Sequence, residues 1–265
     1  MKFLEFHFNP KLAKKKGVIF DTFCFVPKKK EEEKFGYLYL IGELKNVLPR
    51  TQNLLNKLAE IVHKEYYKFA ERSVGESFKE SLARANEFLA QEVKKENVSW
   101  LGNLNMAIVS FSQDFLLNLA KVGKLKILLL RDKEIFDVGG NIREVSSCER
   151  TFSKAIEGKL SQGDKLLLLT SEVFEIFQTQ GIIEKLAEIK KIKEIKKILK
   201  EKKKILKEIF GAQLVIIPQK KSLLFKKICL PQPVFLSSLP ERTRKNLIAI
   251  LVLIILLLLG WLIFK

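Results

Sequence analysis

The stretch DFLLNLAKVGKLKILLLRDKEI, residues 114–135, decides the fold. Leu116, Leu117, Leu119, Ala120 and Val122 precede Gly123, and Leu125 and Ile127 to Leu130 follow it. Two short apolar runs, bounded by Gly123 and by Arg131-Asp132-Lys133, read as strands buried on at least one face. Periodicity alone also fits a buried helix; the glycine and the short runs favour a hairpin. The remaining chain then reads as layers packed around that hairpin, plus a membrane anchor.

Outward from this stretch, the segment at residues 1–8 reads as a first strand and VIFDTFCFV, residues 18–26, as a second. KKKEEEK, residues 28–34, reads as a solvated hairpin tip, and residues 35–41 as a third strand ending at Gly42. Apolar residues at helical spacing predict helices over 49–70 and 73–93, the second opened by the capping box Ser73-Val-Gly-Glu76. Residues 103–111 return to strand character, and 136–158 are less regular. KLLLLT, residues 165–170, reads as a central strand after the turn Ser161-Gln-Gly-Asp164. Residues 182–210 predict one amphipathic helix or two, docked on the domain or in a coiled coil; its charges are not cleanly arranged for the latter. A last strand runs to Ile217 and stops at Pro218.

The chain has 265 residues, 47% of them apolar, and a formal net charge of +18. That charge suits either anionic partners or a plain lysine-rich surface. Cys24, Cys148 and Cys229 have no metal-ligand spacing and read as free buried thiols in a reducing compartment. His7 and His63 are the only histidines, which argues against a His-based triad or a His-rich metal site. MKFLEFHF, residues 1–8, lacks the basic region, apolar core and small-residue cleavage site expected of a signal peptide. Phosphate loops, C-x-x-C, H-E-x-x-H and G-x-S-x-G are absent.

Residues 218–245 read as a linker containing Pro, Ser and Lys. The uncharged run from Leu247 to Phe264 has 18 residues. As a helix it spans about 27 Å, close to the hydrocarbon thickness of a bilayer. Arg242, Arg244 and Lys245 precede it and Lys265 follows. The charge asymmetry predicts a single-pass tail anchor within residues 246–265, the N-terminal domain cytoplasmic and the C-terminus outside. Anionic lipid headgroups are the nearer partner for the basic surface, beside a protein partner the sequence does not identify. Nucleic acid is not expected, because no arginine-aromatic interleaving supports stacking or base contact.

Three segments within residues 1–217 together resemble the metal-dependent protein phosphatase family, the protein phosphatase 2C-like or PPM type. KVGKLKILLLRDKEI, residues 121–135, resembles the family's v-G-D-S-r-a-y-l-l-R-d-G-x-l. LSQGDKLLLLTSEVFEIF, residues 160–177, is similar to l-x-x-G-D-x-l-l-L-c-S-D-G-l-w-e-x-l. FGYLYLIGELKN, residues 35–46, stands where the family has a strand ending in A-D-G-M-G-G-H. The resemblance implies an α+β, four-layer αββα sandwich of two antiparallel sheets flanked by helices. It also implies a site for two Mg²⁺ or Mn²⁺ ions, held largely by aspartates. Hard divalent ions need such oxygen ligands.

The matched positions depart from that pattern. Ile41 and Gly42 stand at D-G, with Glu43-Leu44-Lys45 after them; Lys124 stands at the aspartate of G-D-S; Glu172 and Val173 stand at D-G of S-D-G. Gly211-Ala212-Gln213 offers no carboxylate where the family has D-N-x-T. Asp21 and Glu172 are weak candidate ligands, and Asp21 is read as structural. Asp114, Asp132, Asp137 and Asp164 lie at turns or strand ends. The expectation is therefore a catalytically inactive, pseudophosphatase-like binding, scaffolding or regulatory module that uses no cofactor. An active serine/threonine phosphatase with a metal site rearranged around Glu172, Asp21 and Glu43, needing Mg²⁺ or Mn²⁺, is the alternative. An unrelated membrane-tethered adaptor is the third reading. Convergence of Ile41, Lys124 and Glu172 at one end of the sandwich is expected.

Overall fold

A computed structural model describes residues 2–140, 142, 151–189 and 192–218. Among the described residues, ten strands form two antiparallel five-stranded sheets. The first sheet takes β1 (Lys2–Phe8), β10 (Gly211–Ile217), β9 (Lys165–Leu169), β6 (Lys126–Arg131) and β7 (Glu134–Asp137), in that order. The second takes β2 (Ile19–Phe25), β3 (Tyr37–Leu44), β4 (Leu104–Phe111), β5 (Leu116–Val122) and β8 (Ile156–Lys159). Helices α2 (Leu54–Tyr66) and α3 (Val74–Lys94) cover the second sheet, packed on Leu38, Leu40, Met106 and Ile108. The first sheet is covered by α4 (Ser171–Thr179), α5 (Ile182–Glu188), α6 (Ile192–Glu201) and α7 (Lys203–Leu206).

Strand alternation sets these layers. In β3, Leu38, Leu40 and Leu44 face the helices, while Tyr39 and Ile41 enter the layer between the sheets. In β9, Leu166 and Leu168 face between the sheets and Leu167 and Leu169 face the helices. Central strands buried on both faces therefore read as continuous apolar runs. Each fully buried Leu or Ile contributes roughly 1.5–3 kcal/mol. All ten strands and the three apolar layers lie within residues 2–217.

The hairpin expected across residues 114–135 does not form. β5 pairs with β4 and β8, whereas β6 pairs with β7 and β9 in the other sheet. Gly123 carries the chain across the sandwich, and Lys121 Nζ pins the crossing by donating to the Gly123 and Leu125 carbonyls at 3.2 and 3.1 Å. Leu119 and Ile127 then line the same layer from opposite sheets.

Other boundaries shift. The expected hairpin tip is a 3-10 helix, Lys30–Phe35, and Pro10–Lys15 forms a short helix, α1. A 3-10 turn, Pro49–Thr51, precedes α2, and the Ser73 capping box opens α3 as expected. The less regular stretch contains edge strands β7 and β8. The amphipathic run becomes α5, α6 and α7, because Ile189 is extended and buried Lys165 donates to the Ala187 and Ile189 carbonyls at 3.0 and 2.8 Å. Cys24 is half-buried, where the expectation was a buried thiol. Cys148, Cys229, the linker and the run 247–264 lie outside the described residues. Among the described residues no helix is long and apolar enough to cross a membrane.

Candidate functional site

The site is built at the ends of β3 and β4, where the chain crosses between sheets. Gly123 has φ +73°, and a Cβ there would strike the Asn105 side chain and the Leu104 carbonyl. This close approach requires glycine. Asn105 lies opposite Glu43 in the β3–β4 register. Its Oδ1 accepts the Lys124 N–H at 2.7 Å, and its Nδ2 donates to Glu43 Oε1 at 3.2 Å. One asparagine thus ties β3, β4 and the crossing together.

Glu43 is 1% exposed, on the same face of β3 as Ile41. Lys45 Nζ lies 3.5 Å from Glu43 Oε1, and Glu43 Oε2 has no hydrogen-bond partner among the described residues. Burial pushes the Glu43 carboxyl above its usual range, with the Lys45 ammonium opposing and the Glu172 carboxylate adding repulsion. Glu172 therefore shares this electrostatic neighbourhood.

Glu172 sits in the first turn of α4. Its Oε1 accepts the Phe210 N–H at 3.1 Å, tying that turn to the entry of β10. Thr170 Oγ1 accepts the Ala212 N–H at 3.1 Å, and Ser171 Oγ donates weakly to the Lys124 carbonyl at 3.5 Å. The α4 turn thus meets the crossing that Asn105 holds. Lys124 and Glu172 belong to one place, through backbone at Lys124 and side chain at Glu172.

The other expected positions serve different purposes. Ile41 is fully buried opposite Ala107, two residues before Glu43 on the same face of β3. Gly42 faces the helices, where a Cβ would come within 2.9 Å of Leu55 Cδ2. That glycine makes room for α2. Asp21, the other weak candidate ligand, lies across from Gly42 on edge strand β2 and belongs to a separate group. Its Oδ1 accepts the Thr22 N–H at 2.8 Å and stands 3.8 Å from His7 Nε2. Burial raises the Asp21 carboxyl, against the Thr22 N–H and His7; burial and Asp21 raise Glu5 beside it. Gln213 is fully buried in β10. Val173 packs in the layer under the first sheet. Sequence reading missed Asn105. Its signal was a carboxamide in the otherwise apolar strand LNMAIVSF.

The donors present do not fit a two-ion centre. Asn105 Oδ1 is taken by the Lys124 N–H, Glu172 Oε1 by the Phe210 N–H, and Glu43 Oε1 by Asn105 and Lys45. Among the described residues no group of three His, Cys, Asp or Glu side chains stands ready to share an ion. Two carboxylates, one with an orphaned buried oxygen, are a donor set for one hard cation at most.

No family profile and no curated protein matches the sequence. Solved structures do match. A bacterial serine phosphatase superposes with a TM-score of 0.60 at 10% identity, over 83% of this chain and 99% of that one. The PP2C phosphatase domain of SpoIIE from Bacillus subtilis, solved with a fragment of its regulatory domain, gives 0.56 at 14% identity, over 82% of this chain and 63% of that one. The chain has the PP2C-type phosphatase fold. The catalytic domain of the serine/threonine phosphatase PstP, solved in complex with two manganese ions, gives 0.51 at 13% identity, over 75% of this chain and 96% of that one. That complex corrects the expectation of no cofactor. In PstP this fold houses a pair of manganese ions.

Proposed function

We propose that this chain is a membrane-tethered, cytoplasm-facing phosphatase-like domain that recognises a partner instead of turning over phosphate esters. The observation that carries the reading is the clamp on Glu43. The buried carboxylate at the end of β3 is held by Asn105 and Lys45, two groups that occupy its oxygen from the protein itself. In a two-metal site a pair of cations clamps both the attacking and the leaving oxygen of the phosphate. A neighbourhood with two carboxylates and an ammonium beside one of them does not supply that arrangement. The tether rests on the run 247–264 and the basic residues before it.

The full chain, purified in detergent and assayed on a phosphoserine peptide with and without Mn²⁺, is expected to release no phosphate above the protein-free control. Manganese-dependent release that disappears in Glu172→Ala would establish the active-phosphatase alternative. The orphaned Glu43 oxygen is the feature that favours that alternative. Calorimetric titration with Mn²⁺ separates the two: at most one ion is expected per chain.

A further inference from the structure

We propose that the lysine face of α6 and α7 lays the domain against an anionic lipid surface. The proposal rests on the membrane-tethered reading above. Ile195, Leu199, Leu206 and Ile209 turn inward, into the apolar layer beneath the first sheet. Lys193, Lys197, Lys200, Lys204 and Lys207 recur at three- and four-residue intervals and are all exposed. Residues 192–210 hold eight lysines against Glu194, Glu201 and Glu208. None of these lysines enters an ion pair among the described residues, although eleven ion pairs form elsewhere in them.

Within α6 two lysine pairs stand four residues apart, at 193/197 and 196/200. Like charges at that spacing destabilise a helix. This face therefore holds a repulsion that a polyanionic surface relieves. The chemistry of the face selects among polyanions. Residues 182–209 contain no arginine and no aromatic residue. The face thus lacks the planar forks that grip single phosphates and the rings that stack on bases. Ammonium groups on flexible stems suit the diffuse field of anionic headgroups.

The test uses residues 1–218, which contain both sheets and all three apolar layers. Binding is measured to vesicles of phosphatidylcholine alone and with about one-third phosphatidylserine, at about 50 mM salt and at physiological salt. The expected result is at least roughly tenfold stronger partition onto the anionic vesicles at low salt, with most of it lost at physiological salt. A variant carrying Lys→Gln at 193, 197, 200, 204 and 207, with an unchanged thermal transition, is expected to lose at least roughly tenfold in that partition. Equal binding to both vesicles, or an unaffected quintuple variant, overturns the proposal. So does tighter binding to a single-stranded RNA of matched charge than to the anionic vesicles. The tether is read separately by alkaline extraction of the full chain from membranes. Release of the full chain sinks the tether while leaving the vesicle result to judge the lysine face.

Discussion

Glu43 puts a carboxylate where strand alternation calls for an apolar side chain, and its cost depends on pH. Burial raises its pKa in the folded state above the ordinary value of 4.5. Between the two values the folded chain holds a proton that the unfolded chain has released. Stability contributed by this group is therefore present at low pH and falls as pH rises through the folded pKa. Glu43→Gln keeps the shape and a carbonyl for Asn105 and removes the titration. The variant is expected to be more stable than the parent at pH 7, because it removes the desolvation of a buried charge. The advantage should shrink towards pH 4.5. Thermal unfolding across pH 4–8 checks this; a variant less stable at pH 7 means that Lys45 outweighs desolvation. At this scale the sequence exposed Glu43 and Glu172 as polar residues in or beside apolar strands. It did not expose Asn105 as their link, because register between β3 and β4 depends on how two helices bring the strands together.

Among the elements, β5 and β6 show where one-dimensional reading stops. Their lengths and apolar character were legible, but their partners were not. A glycine turn serves a hairpin and a crossing between sheets alike, and inward-facing leucines suit both. A break within residues 182–210 was legible as one of two readings, but its place was not, since it needs Lys165, far away in sequence, to take the carbonyls at the end of α5. Asp164, by contrast, was legible as a turn residue and proves to join two segments. Its carboxylate accepts the Ser161 N–H at 2.6 Å and Arg131 Nε and Nη2 at 3.0 and 2.7 Å. The pair fastens the turn before β9 to the end of β6. Asp164→Asn keeps the turn contact and loses one half of the charged fork. A cost of about 2 kcal/mol is expected, since hydrogen bonds to charged groups contribute about 1.5–3 kcal/mol each. In urea unfolding this should lower the midpoint and leave the slope unchanged. An unchanged midpoint would make Arg131 a surface charge with little structural effect.

For the whole molecule, the sandwich and the run 247–264 make separate demands on solvent. The sandwich closes its apolar layers within residues 2–217 and presents lysines outward. The C-terminal run offers 18 residues without a charge. In water it would expose an apolar surface far larger than soluble monomers carry. In a bilayer, each Leu or Ile near its centre contributes roughly 0.3–0.6 kcal/mol, and each Lys there costs roughly 2.5–3.5 kcal/mol. Insertion is therefore expected to hold the full chain in membranes through alkaline carbonate extraction. Leu253→Lys with Leu257→Lys should release it, because two central charges cancel most of what the aliphatic residues contribute. Deletion of residues 246–265 should release it fully. Protease added to the cytoplasmic side should digest the N-terminal domain, since Arg242, Arg244 and Lys245 favour that side. A deletion chain that stays in the pellet after carbonate would place the anchoring in the sandwich itself. Exposed Ile135 and Phe136 on edge strand β7 would then be the first residues to substitute.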